Sequence, residues 1–219
     1  MKITILCSDD NHPVNPYLQR WIDQNRGNHQ ISLVRKKKDL LGGEILFLVS
    51  CSEIVSAAER AVYRASLVLH ASNLPVGRGW SPHIWQIIDG AQEVTLSLLE
   101  AEDKVDSGRI WHQTIVPVPK HALWDEINDR LFNAEIELID HAVREFDAVV
   151  PKAQDPASVP TYYSRRTPDA SKLDAERSIA SQFNLIRVCD PTRFPAFFEL
   201  HGKKYKLTLE KINDLQNQD

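Results

Sequence analysis

Glycine is scarce in this sequence, 8 residues in 219. No GxGxxG follows the first apolar run, and no Walker A pattern occurs anywhere. The dinucleotide and nucleoside-triphosphate readings therefore lose the backbone cradle that holds their phosphates. Cysteine is scarcer still: Cys7, Cys51 and Cys189 lie far apart, with no CxxC or Cys/His ligand spacing. That argues against a zinc site or a disulfide framework, and no resident metal is expected. Cys7 and Cys51 each end an apolar run, as buried thiols of a reducing compartment do. No apolar run approaches the roughly 18 residues a membrane helix needs. The short run Lys2 to Cys7 passes at once into Ser8-Asp9-Asp10, unlike a signal peptide. A cytoplasmic protein without a membrane partner is expected. Positive charge is not in excess either: 26 Lys and Arg against 30 Asp and Glu leave −4. The concentrated basic surface that nucleic-acid binding needs is missing, although a local patch can still hold a phosphate.

What is present is an ordinary globular balance, 42% apolar and 26% charged, in a chain long enough to bury a core without staples. Short β-branched runs alternate with helical patterns. Ile3 to Cys7, Gln30 to Val34, Ile45 to Val49 and Ser66 to Leu69 read as strands. Asn15-Pro16 reads as an N-cap with proline at the first helical position, followed by the stripe Leu18, Trp21, Ile22. Ser50-Cys51-Ser52-Glu53 reads as the cap of a helix running to about Arg64. Such alternation predicts parallel βαβ units with right-handed crossovers. Pro82 to Ile88 then reads as a helix, and Glu93 to Glu100 and Arg109 to Val118 as strands around an acidic turn. Leu123 to Val149 is a long amphipathic helix. A proline-rich irregular stretch, 151–174, leads to a helix over 175–189 and a hairpin around His201-Gly202-Lys203. The predicted fold is α/β: an open, mainly parallel sheet with helices on both faces, plus a short C-terminal helix and β-hairpin. Residues 1–150 form the predicted main domain and 151–219 an extension packed on or beside it.

The stretch Ser66 to Gly79 delivers His70 at the end of a buried strand, ahead of a turn with Pro75, Gly77 and Gly79. Ligands of open α/β sheets bind outside such strand ends. Imidazole exchanges protons near neutral pH, and a carboxylate beside it fixes its tautomer and stabilises the imidazolium. Asp106, in the acidic turn, is the candidate carboxylate. Taken singly, His70 also reads as an ordinary strand-end residue and Asp106 as a common turn former.

Order and spacing say more. His70-Ala71-Ser72-Asn73-Leu74-Pro75, then Arg78-Gly79, then Asp106-Ser107-Gly108-Arg109-Ile110 resembles the folate-dependent formyltransferases. In that family an Asn-x-His-x-Ser-Leu-Leu-Pro pattern precedes a glycine and a later Asp-x-Gly before a strand. The resemblance is specific from about residue 45 to 118. Tyr163-Ser164-Arg165-Arg166-Thr167-Pro168 and Arg193-Phe194-Pro195-Ala196-Phe197-Phe198 look like the segment after the catalytic domain in tRNA- and sugar-type members. The resemblance implies a Rossmann-like sheet, 10-formyltetrahydrofolate as co-substrate, and amine formylation with His70 and Asp106 as the catalytic pair. It places the pterin beside Ser50, Cys51 and Ile54 and the turn containing Asp103. One departure stands out: the family asparagine two residues before the histidine is Val68 here. Asn73 is the nearest carboxamide and the candidate substitute donor.

The amine is read by elimination. Members acting on tRNA carry a further C-terminal barrel, for which a sequence ending at Asp219 is expected to leave no room. Glycinamide ribonucleotide transformylases carry a glycine/serine phosphate loop where Ser8-Asp9-Asp10-Asn11-His12 stands. A nucleotide-linked amino sugar, a precursor of surface polysaccharide or glycan, fits best. Arg165 and Arg166 would grip a pyrophosphate, and Trp80, Tyr163 or Phe194 would stack on base or sugar, beside Arg78 and Gly79. A glycinamide-ribonucleotide-type transformylase, or a catalytically weak relative that binds folate or nucleotide sugar, are the alternatives. A homodimer through the C-terminal hairpin is expected.

Overall fold

The apolar runs near the N-terminus place β1 (Lys2–Leu6), β3 (Gly43–Leu48) and β4 (Tyr63–His70) at the centre of a six-stranded sheet. The computed structural model describes residues 1–212. With β2 (Gln30–Val34), β6 (Glu93–Glu100) and β7 (Ile110–Pro117), the order is β2-β1-β3-β4-β6-β7. The first four strands run parallel, and β6 and β7 return antiparallel. The chain leaves β1 toward one edge to form β2 and comes back on the other side as β3. This reversal opens a crevice at the carboxyl ends of β1 and β3, next to the end of β4.

One sheet face packs on α1 (Asn15–Asn25), α3 (Pro82–Ile88) and the 21-residue α4 (Trp124–Arg144). Its core includes Ile3, Ile5, Phe47, Leu67, Leu18, Trp21, Leu131 and Leu138. The opposite face is thinner. Leu6, Leu46, Leu48, Val55 and Tyr63 form a smaller cluster there, beside the short α2 (Ala57–Arg60). Strand alternation sends Leu67 to the first face and Ser66, Val68 and His70 to the second.

Two local expectations are corrected. The helix expected from residue 50 to 64 shrinks to α2. Ser56 and Glu59 form the capping box, and Tyr63 to Ala65 join the strand instead. Nor is Asn15 an N-cap acceptor. Val14 holds the cap position, and the Asn15 amide donates to the carbonyls of Asp9, Asp10 and His12 at 2.9, 2.9 and 3.0 Å. The residue fastens the loop after β1 rather than the helix end.

The extension is stitched to the rest. Its β8 (Tyr162–Tyr163) pairs in parallel with β5 (Arg78–Gly79). From α5 (Ile179–Arg187), the fully buried Arg187 donates to the carbonyls of Pro119 and Ala122, just before α4. The hairpin of β9 (Ala196–Leu200) and β10 (Lys203–Leu207) follows.

Glu135 points from α4 into the first core, with one carboxyl oxygen unpartnered among the described residues. Burial pushes its pKa from 4.5 up to about 8. The folded chain therefore keeps a proton that the unfolded chain releases, and stability falls as pH rises between those values. Glu135→Gln is expected to stabilise the protein at pH 8 by roughly 3 kcal/mol more than at pH 5, read from denaturant unfolding at both pH values.

Candidate active site

His70 closes β4 with its side chain 7% exposed. Its Nε2 lies 2.8 Å from the Gly77 carbonyl. A carbonyl only accepts, so Nε2 carries a hydrogen and donates. Nδ1 faces the Asp106 carboxylate at 3.5 Å, and that side chain is 6% exposed. The Gly77 carbonyl and the Asp106 carboxylate thus fix the orientation of the ring from its two sides. This is the pairing expected from the sequence, formed between the end of β4 and the turn joining β6 to β7.

Asp106 reaches His70 from a left-handed backbone, φ 53°, a conformation that costs a side-chain-bearing residue about 1–2 kcal/mol. Several bonds hold it there. Its second carboxylate oxygen accepts from the Gly79 N–H at 2.8 Å, and its carbonyl accepts from the Gln154 amide at 2.9 Å. Gly79 is itself at φ 97°, and a Cβ there would stand 2.4 Å from the Tyr163 carbonyl. Only glycine lets β5 approach β8 this closely.

The expected folate residues sit in the loops around the second sheet face. Ser50 is left-handed at φ 46°. Cys51 is half-buried, and burial holds its thiol above the ordinary range. Ile54 is 74% exposed. Asp103 accepts from Arg60 at 2.6 Å, tying the turn after β6 to α2. On the second sheet face Leu48 and Val55 belong to the smaller core cluster, with Val68 and Ala101 packed against it. The Ser66 hydroxyl, buried on the same face of β4, has no partner among the described residues. Val68 packs here where the pattern it resembles carries an amide.

Asn73 does not join the pair. It is exposed, and its amide oxygen accepts from Gln113 of β7. Arg78 and Arg166 are not free arms either. Arg78, 5% exposed, donates to Gln154 and the Tyr162 hydroxyl. Arg166, 8% exposed, donates to Ser171 and Cys189 and stacks on Phe194. Both guanidiniums bond inside the protein because their backbones lie in the interleaved β5 and extension segments. Phe194 is further covered by Arg193, which bridges to Asp9 of the β1 loop at 2.7 Å. Tyr163 stacks on Trp85 at 6.4 Å. Trp80 is 42% exposed, with the exposed Arg165 stacked over its ring at 4.9 Å.

Three participants carry no sequence signal. Gln154 lies in the irregular stretch. His12 accepts from the Val14 N–H and packs edge-on to Phe132. Burial and the nearby Arg193 push it down to about 4. Burial and the charges of His70, His12 and Arg166 push His83 down to about 3. Both rings are neutral at neutral pH.

Residues 8–143 match the family described as Formyl transferase. A methionyl-tRNA formyltransferase from Symbiobacterium thermophilum is 27% identical over 153 residues, 69% of this chain and 47% of that protein. The chain thus spans about half the length of the curated relatives it matches. Among solved structures, a methionyl-tRNA formyltransferase from Clostridium thermocellum superposes with a TM-score of 0.83 at 19% identity, covering 99% of this chain and 95% of that one. A sugar N-formyltransferase from a Shewanella species superposes at 0.71 and 17% identity, covering 97% and 99%. HypX from Aquifex aeolicus in complex with tetrahydrofolic acid superposes at 0.79 and 18% identity, covering 95% and 37%. At these identities the superpositions speak to the fold.

Gly79→Ala is expected to part β5 from β8 and release the Asp106 carboxylate. The cost, about 2 kcal/mol or more, is expected to lower the melting temperature by several degrees. Gly202→Ala, at a hairpin glycine with no atom within 4 Å of an added Cβ, controls for strain alone.

Proposed function

The chain belongs to the formyl transferase family, and we propose that it moves a formyl group from 10-formyltetrahydrofolate to the amine of a nucleotide-linked amino sugar. The observation that carries the reading is the buried His70–Asp106 pair, formed where the end of β4 meets the turn between β6 and β7. The folate supplies the formyl carbon. His70, oriented by Asp106, exchanges the Gly77 carbonyl for the formyl oxygen through Nε2–H, stabilising negative charge as the amine adds. The new C–N bond forms as the C=O electron pair moves to oxygen. The return of that pair breaks the bond to folate nitrogen, which receives the proton the amine gives up. Apolar Val68 leaves His70 and backbone N–H groups to hold that charge.

Two features support a sugar nucleotide as the acceptor. Net charge is negative overall, which disfavours a polyanionic nucleic-acid partner. The exposed Arg165–Trp80 stack offers a cation for phosphate and an aromatic face for a base. The division of labour we propose assigns residues 1–150 to catalysis and, of the extension expected over 151–219, the described part 151–212 to bracing the site; residues 213–219 lie outside the described residues.

The test offers 10-formyltetrahydrofolate with a panel of UDP- and dTDP-linked amino sugars and follows formamide formation. Wild type is expected to formylate one class of them, and His70→Asn to be about a thousandfold slower with folate binding retained. Formylation of none, with folate bound, would instead support the binding-protein alternative. Full activity in His70→Asn would remove His70 from the chemistry. Arg165→Ala is expected to raise KM for the sugar nucleotide about tenfold or more with little change in kcat.

A further inference from the structure

We propose that Gln154, in the extension, is a positioning residue for the His70–Asp106 pair. The proposal rests on the formyl-transfer reading for its kinetic consequence, but not for its geometry. The Gln154 amide nitrogen donates to two carbonyls of the Asp106 turn, Asp106 and Gly108, both at 2.9 Å. Its oxygen accepts from Arg78 at 2.6 Å. A guanidinium only donates, so Arg78 fixes which end of the amide faces the turn. Gln154 is set in place by the neighbouring Lys152, which exchanges two backbone hydrogen bonds with Ile110 at the start of β7. One side chain thus spans β5, the Asp106 turn and the extension.

The turn needs such a clamp. Asp106 is left-handed, and strained residues persist only where their surroundings over-determine them. The Gly79 N–H fixes the carboxylate, while Gln154 fixes the peptide groups on either side of the turn. Without it, the backbone can relax toward ordinary φ and swing the carboxylate from Nδ1. Displacements near 1 Å at a catalytic group can cost about a hundredfold in rate. Gln154 is half-buried and makes no hydrogen bond to His70 among the described residues, so its effect passes through Asp106.

Gln154→Met keeps the length and removes all three bonds. It is expected to lower kcat for formyl transfer ten- to a hundredfold while KM for folate stays within about twofold. An independent readout is the 15N spectrum of the His70 ring, assigned by its loss in His70→Asn. Asp106→Asn is expected to shift the Nδ1 resonance, and Gln154→Met to shift it the same way by a smaller amount. Gln154→Glu keeps the acceptor for Arg78 but loses the donors, and replaces Met if that variant melts much earlier. A ring spectrum in Gln154→Met or Gln154→Glu that superposes on wild type, or an unchanged kcat, would overturn the role. If wild type transfers no formyl group to any amine, the proposed function fails, and the ring spectrum still decides the positioning claim.

Discussion

A carboxylate held against an imidazole by a left-handed turn is the constraint on which the rest depends. Asp106 spends about 1–2 kcal/mol on its backbone to bring its oxygens between Nδ1 of His70 and the N–H of Gly79. That arrangement requires Gly79 to lie close under Tyr163, which in turn requires β8 to pair with β5. The segment after α4 is therefore part of the site's scaffold, and the buried Arg187 fastens the same extension to the loop before α4. A histidine–carboxylate pair built from the end of one strand and the turn after another is held in place because a third segment crosses both.

Around this pair the charges are sorted. His12 and His83 remain neutral because burial and positive neighbours oppose their protonation. His70 differs from them in facing an oxygen at each ring nitrogen, the Gly77 carbonyl and the Asp106 carboxylate. Among the aromatics of the extension and its neighbours, Trp80 stays exposed with Arg165 stacked over its ring.

Much of this is legible in the sequence. The alternation of short β-branched runs and helices is enough for the α/β sheet, because a parallel strand buried on both faces reads as a continuous apolar run. The long stripe of α4 and the strand pair β6–β7 are legible for the same periodic reasons. His70 and Asp106 emerge from motif order. What sequence periodicity does not carry is pairing across long separations. Arg78 and Arg166 look like free cations because nothing local shows that Gln154, Ser171 or Cys189 will meet them. Asn73 looks like a spare donor because its partner, Gln113, is forty residues away. Gln154 has no motif; its role exists only once the turn, β5 and the extension are brought together.

The central claim is that this pair passes a formyl carbon from folate to an amine. The most direct test uses 10-formyltetrahydrofolate labelled with 13C at the formyl carbon, mixed with stoichiometric protein and an amino-sugar nucleotide, and followed by 13C NMR. The account predicts that the label leaves the folate and appears as a formamide on the sugar with wild type, and stays on the folate with Asp106→Asn. Label that appears only as free formate, or that reaches the sugar equally fast with Asp106→Asn, would contradict it.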